Sequence, residues 1–131
     1  MDEYVGILVL GHGSTKPHNK DMVEAYAKMI GNNHDGPVRT AFLNMDEPDI
    51  ATGLASFVGT KVKKIVALPL FLAHGVHTME DIPQELGVDA SLRRGSCKVN
   101  GETVEICCAE PLGVDECVAN LAYRRAMETL K

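Results

Sequence analysis

The chain has 131 residues, 45% of them hydrophobic and 24% charged, with a net charge of −5. That length suits one domain with a true core, so residues 1–131 are expected to fold as a single unit. An acidic balance without a basic, aromatic-interleaved stripe argues against nucleic acid as a partner, and the longest uncharged apolar stretch, Ile65–Ala73, is too short to cross a bilayer.

The start Met1-Asp2-Glu3-Tyr4 is acidic, unlike a secretory signal, so a cytoplasmic location is expected. Residues 4–10 contain the apolar run Val5–Leu10 and read as a first buried strand. A helix is expected from Asn19 to Ile30, with Met22, Val23, Tyr26, Met29 and Ile30 on one face, Asn19 as N-cap and Gly31 as C-cap. Val38–Leu43 reads as a second strand. Pro48 suits the first position of a second helix carrying Ile50, Leu54, Phe57 and Val58, which Gly59 ends. Val62–Leu72 holds the third strand, and Ile82–Leu86 is a short helix started by Pro83 and stopped by Gly87. Asn100-Gly101 predicts a type I′ hairpin turn between a short strand near Cys97–Val99 and a fourth main strand near Thr103–Cys108. A last helix, Asp115–Leu130, carries Val118, Leu121, Ala122, Met127 and Leu130. This order predicts a three-layer α/β/α fold whose four-stranded parallel sheet has strand order 2-1-3-4, plus a small hairpin. Strands 1 and 3 are then neighbours, about 4.8 Å apart. The loops after Leu10 and Leu72 share one rim, at the switch point where open α/β sheets bind ligands.

Two histidines stand on that rim. His12 lies in Gly11-His12-Gly13-Ser14, flanked by glycines that let backbone approach a ligand. His77 closes Ala73-His74-Gly75-Val76-His77 and enters a helix. Two imidazoles do not complete a structural metal site, which normally has four protein ligands. They suit weak holding of nickel, cobalt, copper, zinc or iron, and imidazole also takes up protons at cellular pH. His74 reads as an idle loop residue or a second ligand of the same loop, and His18 and His34 as solvated. Glu47 and Glu110 end the second and fourth strands, as helix-entry acids or as rim carboxylates that accept N–H protons. Ser14 and Lys16 are ordinary loop residues or contacts for anionic groups. Lys20, Arg39, Arg93, Arg94 and Lys98 are further positive charges that could face an anionic ligand. Cys97, Cys107, Cys108 and Cys117 form no C-x-x-C pair and read as packed thiols.

Leu10-Gly11-His12-Gly13-Ser14 and Pro69–His77 followed by Glu80-Asp81-Ile82-Pro83 resemble the two motifs of the short class II tetrapyrrole chelatases. Glu47-Pro48 and Glu110-Pro111-Leu112-Gly113 fall where that family has similar sequences. The resemblance implies a chelatase-like fold and a lyase that inserts Co2+ or Ni2+ into sirohydrochlorin, with the ion as substrate and no permanently bound cofactor. Cobalt would serve cobalamin biosynthesis, and nickel the tetrapyrrole of methanogenesis. The resemblance also implies a homodimer with the cleft between subunits. It places metal binding and catalysis on His12 and His77, and macrocycle contact on Leu72, Ala73, His74, Gly75, Val76 and Glu47, with Ser14 beside them. Two other readings use the same histidines: a metal carrier without a macrocycle cleft, and a histidine phosphatase. The second lacks the arginine that such enzymes place next to the histidine, since residue 11 is glycine.

Overall fold

The computed structural model describes residues 2–131; Met1, part of the acidic start, lies outside them. After a 3-10 turn at Asp2–Tyr4 come β1 (Val5–Gly11), α1 (His18–Gly31), β2 (Val38–Phe42), α2 (Ile50–Ala55) and β3 (Lys64–Pro69). A π-helical turn, His77–Asp81, runs directly into α3 (Ile82–Leu86), followed by β4 (Arg94–Val99), β5 (Glu102–Cys108) and α4 (Glu116–Glu128). The sheet order is β2-β1-β3-β5-β4. The four main strands are parallel in the expected order. The hairpin strand is more than an appendage: β4 pairs antiparallel with β5 along its whole length and becomes the fifth, edge strand. Asn100 and Gly101 have φ 53° and 81°, the two positive values a type I′ turn needs.

Alternation along β1 divides the core. Leu8 and Leu10 are fully buried on the α2/α3 side, among Ile50, Phe57, Ile65, Ile82 and Ile106. Val9 faces the other way, toward Val23, Ala27 and Phe42, where Ile30, Leu68 and Leu70 are only partly covered. The two faces are therefore unequal. α4 lies on the thinner side and buries none of its residues. Between α1 and α4 runs an apolar groove of 510 Å³, lined by residues such as Met22, Tyr26, Leu70, Val118 and Leu121.

Several helix ends differ from expectation for local reasons. α1 starts at His18 without a side-chain cap, and Asn19 is not the N-cap: its Oδ1 accepts from Gly13 N–H at 2.9 Å, bracing the preceding loop. Gly31 is the last helical residue, and the C-cap is Asn32, in right-handed conformation. Pro48 lies just outside α2, whose N-cap is Asp49, accepting from Thr52 N–H at 2.8 Å. β3 stops at Pro69, so Leu70–Leu72 belong to the rim loop rather than the strand. Gly87, with φ 75°, closes α3 as expected.

Candidate metal centre

The rim is built by close backbone packing around His12. A Cβ on Gly11 would meet Val23 Cγ2 at 2.7 Å and the Phe42 ring at 3.0 Å. Gly13 has φ 86°, and a Cβ there would come within 1.7 Å of the Asn44 carbonyl oxygen. These glycines therefore make room for the protein itself, not for a ligand as the sequence suggested. The result is a pinned backbone: Leu43 N–H donates to Gly11 O at 3.1 Å and Asn44 N–H to His12 O at 3.0 Å. Ser14 N–H donates to Asp46 Oδ2 at 3.0 Å, tying the same loop to the end of β2.

His77 opens the π turn after β3. Its Nε2 lies 3.1 Å from His12 Nε2, the ring centroids are 4.6 Å apart and the planes cross at 78°. The two sequence-selected histidines thus meet. Their outer nitrogens are both occupied: His12 Nδ1–H donates to Gly13 O at 3.0 Å, and His77 Nδ1–H donates to Asp81 Oδ2 at 2.8 Å. Each ring is thereby fixed in the tautomer that turns an Nε2 lone pair toward the other ring. Two lone pairs at this distance are held together by a shared proton or a cation. Metal–nitrogen bonds of about 2.0–2.1 Å meeting at roughly 95–100° span the same gap. Asp81 holds the His77 ring as carboxylates hold metal-ligating histidines in general. No group of three or more His, Cys, Asp or Glu is placed to hold an ion among the described residues, so any ion on this pair keeps most of its coordination positions open.

His74 is neither idle nor part of the pair. Its Nε2–H donates to the Glu110 carboxylate, and its Nδ1 lies 3.0 Å from the Thr78 hydroxyl, which also accepts from Gly75 N–H at 2.9 Å. Thr78 is 1% exposed, so this loop is locked from inside. Glu47 does not end the second strand as expected: β2 stops at Phe42, and Glu47 is exposed in the loop beyond it, with no hydrogen bond to its carboxylate found among the described residues. Met45, Leu72, Val76 and Met79 are each more than half exposed. An open cavity of 610 Å³ adjoins the loop, lined in part by His74, Val76, Met79 and Arg93.

The basic residues sort themselves by partner. Arg93 is spent on backbone carbonyls, Arg94 pairs with Glu105, Lys98 donates to Thr103, and Arg39 lies over the Phe57 ring. Lys16 and Lys20 remain beside the start of α1. His34 is not simply solvated, since its Nε2–H donates to Val5 O at 2.7 Å. All four cysteines are free, and burial pushes the Cys97 and Cys108 thiols up, away from the thiolate a metal would need. The sequence reading gave no role to Asp46 or Asp81, and read Arg93 as a charge that could face an anionic ligand, whereas it is bound to the carbonyls of Thr78 and Ala109. Asp81 was within reach, four residues beyond His77 on a helical turn.

The CbiX family model matches residues 6–129. A sirohydrochlorin cobaltochelatase of Methanosarcina barkeri is 44% identical over 99% of this chain and 100% of its own length. The sirohydrochlorin chelatase SirB from Bacillus subtilis subspecies spizizenii, solved in complex with cobalt, superposes with a TM-score of 0.73 at 27% identity over 95% of this chain. SirB from Bacillus subtilis with Fe3+ gives a TM-score of 0.74 at 30% identity over 92% of this chain. The chain spans 50% and 45% of those two SirB chains, about half their length. The chain belongs to the CbiX family and is a chelatase, an enzyme of the lyase class.

Proposed function

We propose that this chain inserts a divalent metal, Co2+ or Ni2+, into sirohydrochlorin, and that His12 and His77 hold the incoming ion. The observation that carries the reading is the pair of convergent Nε2 lone pairs, 3.1 Å apart, with no third protein ligand placed beside them among the described residues. Such a pair grips an ion weakly enough to release it. The four ring nitrogens of the tetrapyrrole form the stronger chelate. As the ion crosses, two pyrrole N–H protons leave, and the freed imidazoles accept them, with Glu47 as an assisting rim carboxylate. The exposed apolar side chains of Leu72, Val76 and Met79, with Ala73, His74 and Gly75 between them, provide the face for the macrocycle, and Ser14 and Lys16 a contact for its carboxylates. The name of the Methanosarcina relative favours cobalt, and the imidazole pair accommodates nickel equally well.

The active form is a homodimer with the cleft between subunits. Two facts support this: the chain is half the length of the SirB chains it superposes on, and α4 leaves its apolar side uncovered beside the α1 groove. A second copy supplies the missing cover. The enzyme works in the cytoplasm. Four free thiols suit a reducing compartment, and among the described residues no helix is long and apolar enough to cross a membrane.

The test is a parallel insertion assay. Sirohydrochlorin is mixed with Co2+ or Ni2+, with and without the chain, and its absorption spectrum is followed. Protein-dependent acceleration that disappears in His12→Ala and His77→Ala is expected. Equal rates with and without the chain mean a carrier rather than an enzyme. Sedimentation of wild type and Leu121→Asp tests the dimer; wild-type protein that sediments as a monomer at assay concentration removes it.

A further inference from the structure

We infer that Arg93 is a positioning residue for metal insertion: it completes the π turn that carries His77 and so sets the bite of the His12–His77 pair. The inference rests on the reading of that pair as the metal-holding group, and deepens it.

The need for such a residue lies in the backbone. In the π turn the Ile82 N–H goes to His77 O. Continuing that pattern, the Thr78 carbonyl would accept from residue 83, which is proline and has no N–H. The helix therefore leaves an acceptor without a donor immediately after His77. Arg93 fills it, with Nη1–H donating to Thr78 O at 3.0 Å. The same guanidinium donates from Nη2 to Ala109 O at 3.0 Å and to Cys108 Sγ at 3.1 Å, so it bridges the π turn to the end of β5.

The fold takes trouble to put the side chain there. Arg93 has φ 56°, a left-handed conformation that is uncommon outside glycine. The turn that imposes it is tied by Asp89, whose Oδ1 accepts from both Ser91 N–H and Leu92 N–H at 2.8 Å, and whose carbonyl accepts from Arg93 N–H at 2.7 Å. Cys108 N–H returns a bond to Arg93 O at 2.9 Å. Nε is buried and has no partner among the described residues. A cation held by carbonyls and a thiol, with one N–H unsatisfied, is a costly way to join two loops. It is understandable where the geometry of the joined loop matters. π turns in general concentrate at functional sites.

The experiment titrates Co2+ into wild type, His77→Ala, Arg93→Ala and Arg93→Lys without tetrapyrrole. It follows the visible bands of bound cobalt, with circular dichroism to confirm the fold. Wild type is expected to bind and His77→Ala to lose binding. Arg93→Ala should bind about 10-fold more weakly, the lower end for residues that orient a metal ligand, and with changed cobalt bands. Arg93→Lys, whose ammonium can satisfy one carbonyl, should fall between. Folded Arg93→Ala with wild-type affinity and bands overturns the inference while the metal pair stands. If Arg93→Ala does not fold, Arg93→Lys decides by the same two readouts, and wild-type values there overturn it. Wild type that binds no Co2+, or His77→Ala that binds as well as wild type, removes the metal pair and the inference with it.

Discussion

The loop after β3 carries two histidines three residues apart, and each reaches across to a neighbouring strand end. His77 meets His12 at the end of β1, and His74 meets Glu110 beyond the end of β5. The pairs have opposite characters. His74 and Glu110 are complementary, with a donor, an acceptor and a hydroxyl on the far nitrogen. The backbone on that side is also zipped, by Leu112 N–H to Phe71 O and Gly113 N–H to Leu72 O at 2.8 and 2.7 Å. His12 and His77 are alike, and their outer nitrogens are already used, so two lone pairs face each other with nothing of the protein's own between them. A pair whose hydrogen bonds close internally is a brace. A pair that needs an extra positive species, a proton or a metal cation, to close is what the proposed metal site rests on.

The largest effects should come from removing either member of the unclosed pair. His12→Ala and His77→Ala should each weaken Co2+ binding by more than about 100-fold, beyond what changes in orienting residues cause. The double variant should be little worse than either single one, because the two nitrogens act as one chelating unit. Calorimetric titration checks this; additive losses break the idea of a shared ion. Next in size is Asp81→Asn. Removing the carboxylate frees the His77 ring to turn or change tautomer, and a loss of about 10–100-fold in affinity is expected with the fold intact.

Much of this was legible in the chain. Apolar runs followed by glycine mark parallel strands entering helices; His12 follows Gly11 at the end of one such run, and His77 closes the short loop after the other. The parallel order of the main strands followed from their alternation with helices. What escaped has a common cause: the same residue serves two uses that look alike in sequence. Asn19 reads as a helix cap but braces Gly13. Pro48 reads as the first helical residue, yet the cap is its neighbour Asp49. His74 reads as idle because its partner Glu110 is 36 residues away. Arg93 was least legible, since its acceptors are mostly main-chain carbonyls brought near by folding, which no residue type announces. The openness of the α4 side was also hidden, because an amphipathic helix has the same pattern whether its own sheet or a second copy covers it.

The closed pair should respond differently. His74→Ala and Glu110→Gln should change Co2+ affinity by less than about 3-fold, well short of the effect of losing a ligand or its orienting carboxylate. The side chains are 35% and 71% exposed, so the contact itself contributes no more than about 1 kcal/mol to stability. Thermal melts and the same titration measure both quantities. A His74→Ala variant as damaging to metal binding as His77→Ala would merge the two pairs into one site and break the distinction.

The smallest effect marks the boundary of the rim. Asp49 also lies past the end of β2, two residues beyond Glu47, but its carboxylate is directed to Thr52 N–H as the cap of α2. The hydrogen bonds to Thr52 hold its carboxyl below the usual carboxylate range. A lowered folded-state value means that the cap's contribution is present above the ordinary carboxylate range and fades as pH falls through the lowered one. Asp49→Ala should therefore lower the melting temperature modestly at neutral pH, converge on wild type in strong acid, and leave Co2+ affinity unchanged at every pH where both are folded. Melts of the two proteins across that range, paired with titrations, are the check. A fall in metal affinity at neutral pH would mean that the β2 end shapes the metal pair directly, and the site would then extend across three strand ends instead of two.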